Sequence, residues 1–276
     1  MKLLEVQGLS KSFVKRRNLL GIPAERTNAV KDLSLEVEVG ETLALVGESG
    51  TGKSTAARLV LRLIEADSGT IVFDGVDLRA LDRARLRAAR RNMQMVFQDP
   101  YSSLDPRATI GQSIGEGLLV HFGTEARERR RRAAGLLERV GLGSDMLDRL
   151  PSELSGGQLQ RASIARALAV GPKLIVCDEP VAALDVSVRA QVLNLMAELQ
   201  REFGIAYLFI SHDLALVELI ADRVAVMHSG TIVEEGFTEQ IFRSPQHEYT
   251  RRLLAAVPVP IPRSLRIARA ADAGPR

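Results

Sequence analysis

The residues best suited to chemistry lie in Gly47-Glu48-Ser49-Gly50-Thr51-Gly52-Lys53-Ser54, followed by Thr55, which fits the spacing GxxxxGK[ST]. Glycine at 47, 50 and 52 lets the backbone wrap closely, so that consecutive amide N–H groups converge on phosphate oxygens. A helix opening near Lys53 adds the positive end of its dipole. Lys53 has the reach for β- and γ-phosphates, and the Ser54 hydroxyl suits Mg²⁺. Glycine and serine can also make a strand-to-helix turn with no ligand. Here a buried strand precedes the loop and a helix follows, which is the setting that phosphate binding needs.

Two further segments point the same way. Leu174-Ile175-Val176-Cys177 runs into Asp178-Glu179. Ligands of open parallel sheets sit at the carboxyl ends of the strands, so this acid pair would stand beside the phosphates. Asp178 suits Mg²⁺, directly or through water, and Glu179 suits the attacking water. Alone, the pair reads equally well as a strand running into solvent; the phosphate loop upstream shifts the balance to function. Cys177 is most simply a small core residue. The other segment, Leu154-Ser155-Gly156-Gly157-Gln158, opens a helix expected to reach Ala169. Ser155 and Gln158 make a capping box, which is a purely structural reading. It leaves Gly156 and Gly157 unexplained, since each costs about 1 kcal/mol relative to Ala inside a helix. Exposed amides at a helix tip suit an anion, so the chain carries two phosphate-ready ends.

Hydrophobic spacing indicates the elements that must hold these groups. Positions 33–39 alternate apolar and polar as a half-buried strand does, and 42–46 is a continuous apolar run, as in a strand covered on both faces. A helix over about 54–64 follows the loop; 70–73 and Val76 flank the hairpin signal Asp74-Gly75, and 93–97 is another buried strand. From Gln98 to about Val170 strands give way to helices broken by Pro100 and Pro106. Within this stretch 125–140 has Thr124 for a cap, Ala133, Leu136, Leu137 and Val140 on one face, and Gly141 as its stop. The run Arg129-Arg130-Arg131-Arg132 reads as a solvated face of that helix. Alternation resumes with a strand at 174–177 and a helix carrying Val188, Val192, Leu195, Met196 and Leu199 inward until Gly204. A strand at 205–210, a helix at 214–221 and a pair of strands, 224–227 and 232–233, complete it. The fold class is α/β, a parallel core interrupted by a helical insertion. The last residues, with Pro258, Pro260 and Pro262 and then Arg and Ala, read as a loose C-terminus.

Composition narrows the functions further. The 276 residues carry 37 Lys+Arg against 34 Asp+Glu, a net charge of +3, and 46% are apolar. A pI near 9.2 thus reflects a small excess of base, not a nucleic-acid-binding surface. No apolar run approaches the roughly 18–20 residues that span a bilayer, and Met1-Lys2-Leu3 does not open a secretory signal. One cysteine excludes an internal disulfide framework or a multi-cysteine zinc site. The expectation is a soluble, cytosolic protein.

In this order the segments resemble the ATP-binding subunit of an ABC transporter. Residues 47–55 resemble the Walker A loop, Gln98 the Q-loop glutamine, 154–158 the LSGGQ signature and 174–179 Walker B. Ala183-Leu184-Asp185 resembles the D-loop, and His212, after an apolar strand, the switch histidine. The strings at 96–107, 184–188 and 244–254 are similar to the dipeptide/oligopeptide/nickel importer subfamily. The resemblance implies a P-loop ATPase core with a mainly parallel sheet, an N-terminal antiparallel β subdomain and an inserted α-helical subdomain. Core and β subdomain would occupy 1–98 and 166–240 and the helical part 99–165, within a domain of 1–260; 241–276 would be a partly flexible extension.

It also implies ATP and Mg²⁺ as cofactors and a set of roles. Gly47, Glu48, Ser49, Gly50, Thr51, Gly52, Lys53, Ser54 and Thr55 would bind the nucleotide, with Ser54, Gln98 and Asp178 near the metal. Glu179, His212, Gln98 and Lys53 would carry catalysis. Phe13 would stack on adenine, although a buried strand-end phenylalanine is the plainer alternative. Ser155, Gly157, Gln158 and Asp185 would meet ATP across a head-to-tail pair of subunits. Implied partners are a second ATPase subunit, identical or homologous, two transmembrane permease subunits and, indirectly, an extracytoplasmic solute-binding protein, with no nucleic acid. The place of action would be peripheral, on the cytoplasmic face of the inner membrane. The permease would dock just after Gln98, over about 100–122; Leu118, Leu119, Val120 and Phe122 there fit docking and ordinary core equally. Departures from the family pattern are Ala182, where serine is common, and Thr51, where this subfamily usually has Cys or Ser. The chain has no cysteine cluster for an iron–sulfur centre, so none is expected. A non-transport ABC ATPase acting on nucleic acid or ribosomes is the alternative, usually marked by a coiled-coil insertion or tandem cassettes. A P-loop kinase would leave 154–158 without a purpose.

Overall fold

A computed structural model describes residues 1–17 and 23–256. The chain opens with β1 (Lys2–Arg17) and β2 (Pro23–Glu38), an antiparallel pair. β3 (Thr42–Val46) passes through the glycine loop into α1 (Lys53–Val60). β4 (Ser68–Phe73) and β5 (Val76–Asp77) form the hairpin foreseen at Asp74-Gly75, and α2 (Arg83–Arg90) leads to β6 (Met93–Val96). A run of helices follows: α3 (Pro100–Ser103), α4 (Ile110–Phe122), α5 (Ala126–Arg139) and α6 (Gly156–Leu168). Strand and helix then alternate through β7 (Leu174–Asp178), α7 (Val186–Phe203), β8 (Ala206–Ser211), α8 (Leu214–Ile220), β9 (Arg223–His228) and β10 (Thr231–Phe237). Two short helices close the described chain, α9 (Thr238–Arg243) and α10 (Glu248–Ala255). The loose C-terminus expected beyond Ala256 lies outside the described residues.

One sheet is antiparallel, in the order β2-β1-β4-β5. The other runs β10-β9-β3-β8-β7-β6, parallel throughout except for the antiparallel edge strand β10. Its inner strands β3, β7 and β8 are buried along their whole length and almost wholly apolar, because both faces are covered, whereas the edge strand β10 carries Glu234 and Glu235 and is only partly buried. Ala44, Val46, Ile175, Cys177, Tyr207 and Phe209 join one core, with Ile114, Leu137, Leu159 and Val192 from the helices. Their neighbours Leu43, Leu45, Leu174, Val176, Leu208 and Ile210 join a second core, with Leu59 and Val60 of α1 and Leu4, Val6 and Leu33 of the antiparallel sheet. Each such leucine contributes about 1.5–3 kcal/mol by burial.

The register places the site. Val46 pairs with Ser211, Asp178 with Ile210 and Val96 with Cys177, so the carboxyl ends of β3, β8, β7 and β6 share one sheet edge. The phosphate loop, His212, Glu179 and Gln98 follow those ends directly.

Several sequence expectations are corrected. The helix after the loop stops at Val60, four residues short of Ile64, because Arg62 takes a positive φ of 50°. Thr124 does not cap α5: Glu125 occupies that place, and the Thr124 hydroxyl donates to Leu118 O at 3.2 Å across the end of α4. Three residues of the arginine run form the solvated face expected, with Arg130 paired to Asp148 and Arg131 and Arg132 to Glu128, whereas Arg129 is half-buried, packed beside Gly115 of α4 and bonded to Thr124 O.

Candidate active site

The loop after β3 is packed from behind as tightly as backbone allows. A Cβ on Gly47 would stand 2.2 Å from Met227 O, and one on Gly52 would stand 2.1 Å from Ala29 O. Gly52 also takes a φ of +107°, a left-handed conformation that glycine adopts readily, and serves as the N-cap of α1 without any side-chain cap bond. The first-turn amides of α1 are therefore left for a ligand. Lys53 is 5% exposed, and its Nζ donates to Gly47 O at 2.8 Å and Glu48 O at 2.7 Å. Burial pushes the lysine pKa down, against the pull of Glu179, Asp178 and Glu48. The loop thus curls around a buried ammonium that an anion would stabilise.

The acids stand opposite. Ser54 Oγ donates to Asp178 Oδ1 at 2.9 Å, which joins the start of α1 to the end of β7. Asp178 is 5% exposed, and burial raises its pKa above the ordinary carboxylate range despite the Ser54 hydroxyl. Glu179 adopts a φ of 50°, unusual for a residue with a side chain, while its N–H donates to Ile210 O at 3.0 Å. Such a conformation costs about 1–3 kcal/mol and persists only where its surroundings impose it. It brings Glu179 Oε1 to 2.9 Å from His212 Nδ1, and since a carboxylate only accepts, the imidazole donates. Asp213 caps α8 through the amides of Ala215 and Leu216, which fixes the turn bearing His212.

A cleft of about 720 Å³ has Gly47, Lys53, Ser54, Thr55, Gln98, Glu179 and His212 on its wall. The donor set fits a triphosphate: a buried ammonium, uncapped helix amides and glycines that leave room for oxygen. It also fits Mg²⁺. Among the described residues no three His, Cys, Asp or Glu form a metal cage, and Mg²⁺ is commonly held by one or two side chains together with substrate phosphates. Ser54 and Asp178, already paired, supply that partial set.

Other expected site residues lie elsewhere. Phe13, on β1, is not on the cleft wall; it is 44% exposed, with the Lys11 ammonium 5.7 Å from its ring centre. It is therefore not the buried strand-end residue of the plainer alternative. Ser155, Gly157 and Gln158 are also absent from the wall. The capping box is formed: Gln158 Oε1 accepts from Ser155 N at 2.9 Å, and Ser155 Oγ accepts from Gln158 N at 3.4 Å. Gly157 has a reason inside the chain, since its Cβ would stand 2.5 Å from Val188 Cγ1 of α7. Gly156 has room, with Leu184 Cδ2 at 3.6 Å. Asp185 heads α7 exposed and makes no side-chain cap bond. In the 100–122 stretch Leu118 is core, whereas Leu119, Val120 and Phe122 are 49%, 43% and 47% exposed. Beside them a cavity of about 670 Å³ opens among α3, α4 and α5, with Ser103, Thr109, Gln112 and Arg129 on its wall.

Sequence reasoning assigned no role to Arg189. Its guanidinium donates to Leu184 O at 2.7 Å and Ala182 O at 3.2 Å and lies 3.7 Å from Asp213 Oδ2. It ties the turn after Glu179 to the turn after His212. The apolar spacing of α7 offers no signal for it. Ala29 and Leu253, which also line the cleft, had no signal either.

Comparison with known proteins gives the chain a family. The family model described as "ABC transporter" matches residues 30–182. The chain is 54% identical over 260 residues to the glutathione import ATP-binding protein GsiA of Pectobacterium atrosepticum and to that of Escherichia coli K12, covering 94% of this chain and 42% of each relative. It thus spans about two fifths of the length of these curated relatives, and chain length does not separate the readings weighed above. Among solved structures, the dimeric post-hydrolysis state of the ATP-binding cassette MJ0796 bound to ADP and Pi matches with a TM-score of 0.76 at 28% identity, over 85% of this chain and 98% of that one. The structure of cbiO1 from Clostridium perfringens, part of the ABC transporter complex cbiONQ, matches with a TM-score of 0.75 at 28% identity, over 98% and 99%.

Proposed function

The chain is an ATPase cassette of the ABC transporter family, and from that premise we propose that it powers an importer of peptides or a related small solute such as nickel through partner permeases. ATP hydrolysis is carried by the cleft holding Lys53, Ser54, Glu179 and His212, with Asp178 bonded to Ser54 at the same sheet edge, and import is supported by the likeness to glutathione import ATP-binding proteins. In the cleft Lys53 and the loop amides hold the β- and γ-phosphates, while Phe13, exposed on β1 outside the cleft wall, takes the adenine ring. Ser54 and Asp178, with Gln98 at hand, would hold Mg²⁺, which when bound would offset the charge on the phosphate oxygens. Glu179, kept in place by His212 and by its imposed backbone, orients the attacking water. Phosphoryl transfer needs chiefly such positioning and charge stabilisation.

Ser155, Gly157, Gln158 and Asp185 belong to the same site in a second, identical or homologous, ATPase subunit. The α6 tip, with the Gly156 and Gly157 amides beyond the reach of its own cap, closes over ATP held by the other chain. The dimeric cassette among the structural relatives supports this reading. The domain division stated above, with helices of 99–165 set into the core, gives permeases the exposed Leu119, Val120 and Phe122 beside the α3–α5 cavity. The cassette works as a peripheral subunit on the cytoplasmic face of the inner membrane; among the described residues no helix is long and apolar enough to cross a membrane. A solute-binding protein outside takes part only indirectly. An ATPase acting on nucleic acid gains no support, because the arginine run is engaged by Glu128, Asp148 and Thr124 O.

Affinity purification from membranes tests the proposal. Two hydrophobic permeases should copurify, and their presence should change the ATPase rate. Permease-free activity that instead responds to DNA, ribosomes or a phosphoryl acceptor would overturn it.

A further inference from the structure

We propose that Tyr249 is a positioning residue for the phosphate loop, and that helix α10 senses nucleotide through it. The proposal rests on ATP occupying the Gly47–Thr55 loop. Helix α10 lies beyond the segment the family model matches and in the tail to which no chemistry had been assigned.

The helix is anchored at its start. The Glu234 carboxylate of β10 accepts the Gln246 N–H at 2.7 Å and the His247 N–H at 3.0 Å. Burial alone would raise the Glu234 pKa, yet these amides hold it below the ordinary range, so the anchor is a charged one. His247 then caps the helix by accepting the Tyr249 N–H at 3.1 Å.

Tyr249 is 4% exposed, and its ring centre lies 4.0 Å from that of His228 at the end of β9. From this packed position its hydroxyl accepts the Glu48 N–H at 3.2 Å. The residue before His228 is Met227, whose carbonyl backs Gly47. The end of β9 therefore supports the loop from behind and the tyrosine from the side.

Glu48 is where the loop is held. Its carbonyl accepts from Lys53 Nζ at 2.7 Å and from Thr51 Oγ1 at 3.0 Å, while its N–H goes to Tyr249. When a triphosphate draws the Lys53 ammonium away, the carbonyl loses its charged donor, and residue 48 is then held by Thr51 within the loop and by Tyr249 from outside it. Leu253, one helical turn after Tyr249, lines the same cleft. Coupling of this kind is reciprocal: if α10 sets the loop for nucleotide, nucleotide must tighten α10.

The test uses the full chain and Tyr249→Phe, which keeps the ring and its stacking and removes only the hydroxyl. The variant should raise the KM and Kd for ATP about fivefold, the factor carried by one net hydrogen bond, with kcat and Tm near wild type. In the wild type, ATP should slow amide hydrogen exchange across 248–255, and the variant should lose that response. An unchanged KM with the exchange response retained would overturn the proposal. So would a parallel fall in kcat and Tm, which marks a merely structural role. A wild-type chain that binds no ATP would refute the assigned function instead, which keeps the two failures apart.

Discussion

Two helix N-termini in this molecule are proposed above to meet phosphate, and they are finished differently. The tip of α1 has no side-chain cap, draws Lys53 into its own loop and stands beside Asp178, Glu179 and His212. The tip of α6 is closed by its own Ser155–Gln158 box. Both expose first-turn amides, but only α1 is surrounded by groups that can do chemistry. Helix-dipole physics alone makes a place for phosphate; a reaction needs buried charge and a positioned base as well. The two tips are connected within the chain. Behind Gln98, Tyr101 donates its hydroxyl to Leu154 O at 3.3 Å, and Arg166 of α6 donates to Ser103 O. The segment that follows Gln98 is thus bonded to the helix that presents the other tip.

The strongest way to sharpen this contrast is at the α1 side. Glu179→Gln should lower kcat by about 10²–10⁴-fold, the range of a lost general base, while ATP binding persists. Light scattering should then show an ATP-dependent dimer that accumulates because it cannot turn over. Normal turnover in the variant would remove Glu179 from the catalytic set and leave its imposed backbone without a purpose. Ser155→Arg probes the α6 side with an opposite pattern. Hydrolysis should be lost, yet the isolated chain should bind ATP with wild-type affinity in a fluorescent-nucleotide titration. Weakened binding by the isolated chain would mean that both tips serve one nucleotide in one chain.

Much of the α1 side was legible in the sequence, because spacing alone encodes a loop between a buried strand and a helix. The parallel strands β3, β7 and β8 were legible too, since continuous apolar runs are what two-sided burial demands. β1 was not. Its pairing with β2 shifts register repeatedly, between Val6 and Leu9 and again between Lys11 and Ser12, which spoils the alternation a strand would otherwise show. Helix α2 escaped notice because Leu86 is its one buried residue, too little for a periodic signal. At the site, Glu179 and His212 could be named from their strand ends. The left-handed backbone that joins them could not, since nothing in glutamate favours it. Arg189 and Tyr249 act through side chains that arrive from elements placed only by the fold.

The smallest expected effects separate the two glycines of the α6 tip. The sequence pairs them as a single approach to phosphate, but Gly157 packs against Val188 while Gly156 has ordinary room. Alanine at 157 must displace a β-branched side chain of α7, an overpacking that costs about 1–3 kcal/mol. It regains up to about 1 kcal/mol in helix propensity, so Gly157→Ala should lower Tm modestly. Gly156→Ala meets no such neighbour and should leave Tm equal or slightly raised. If the amide at 156 is exposed for a partner's phosphate, this stable variant should still hydrolyse ATP more slowly, because the added methyl stands where oxygen must approach. Thermal melts and ATPase rates on the two variants check the split. A Gly156→Ala chain both stable and fully active would show that the second glycine answers to α7 alone, and that the α6 tip needs no bare backbone to do its part.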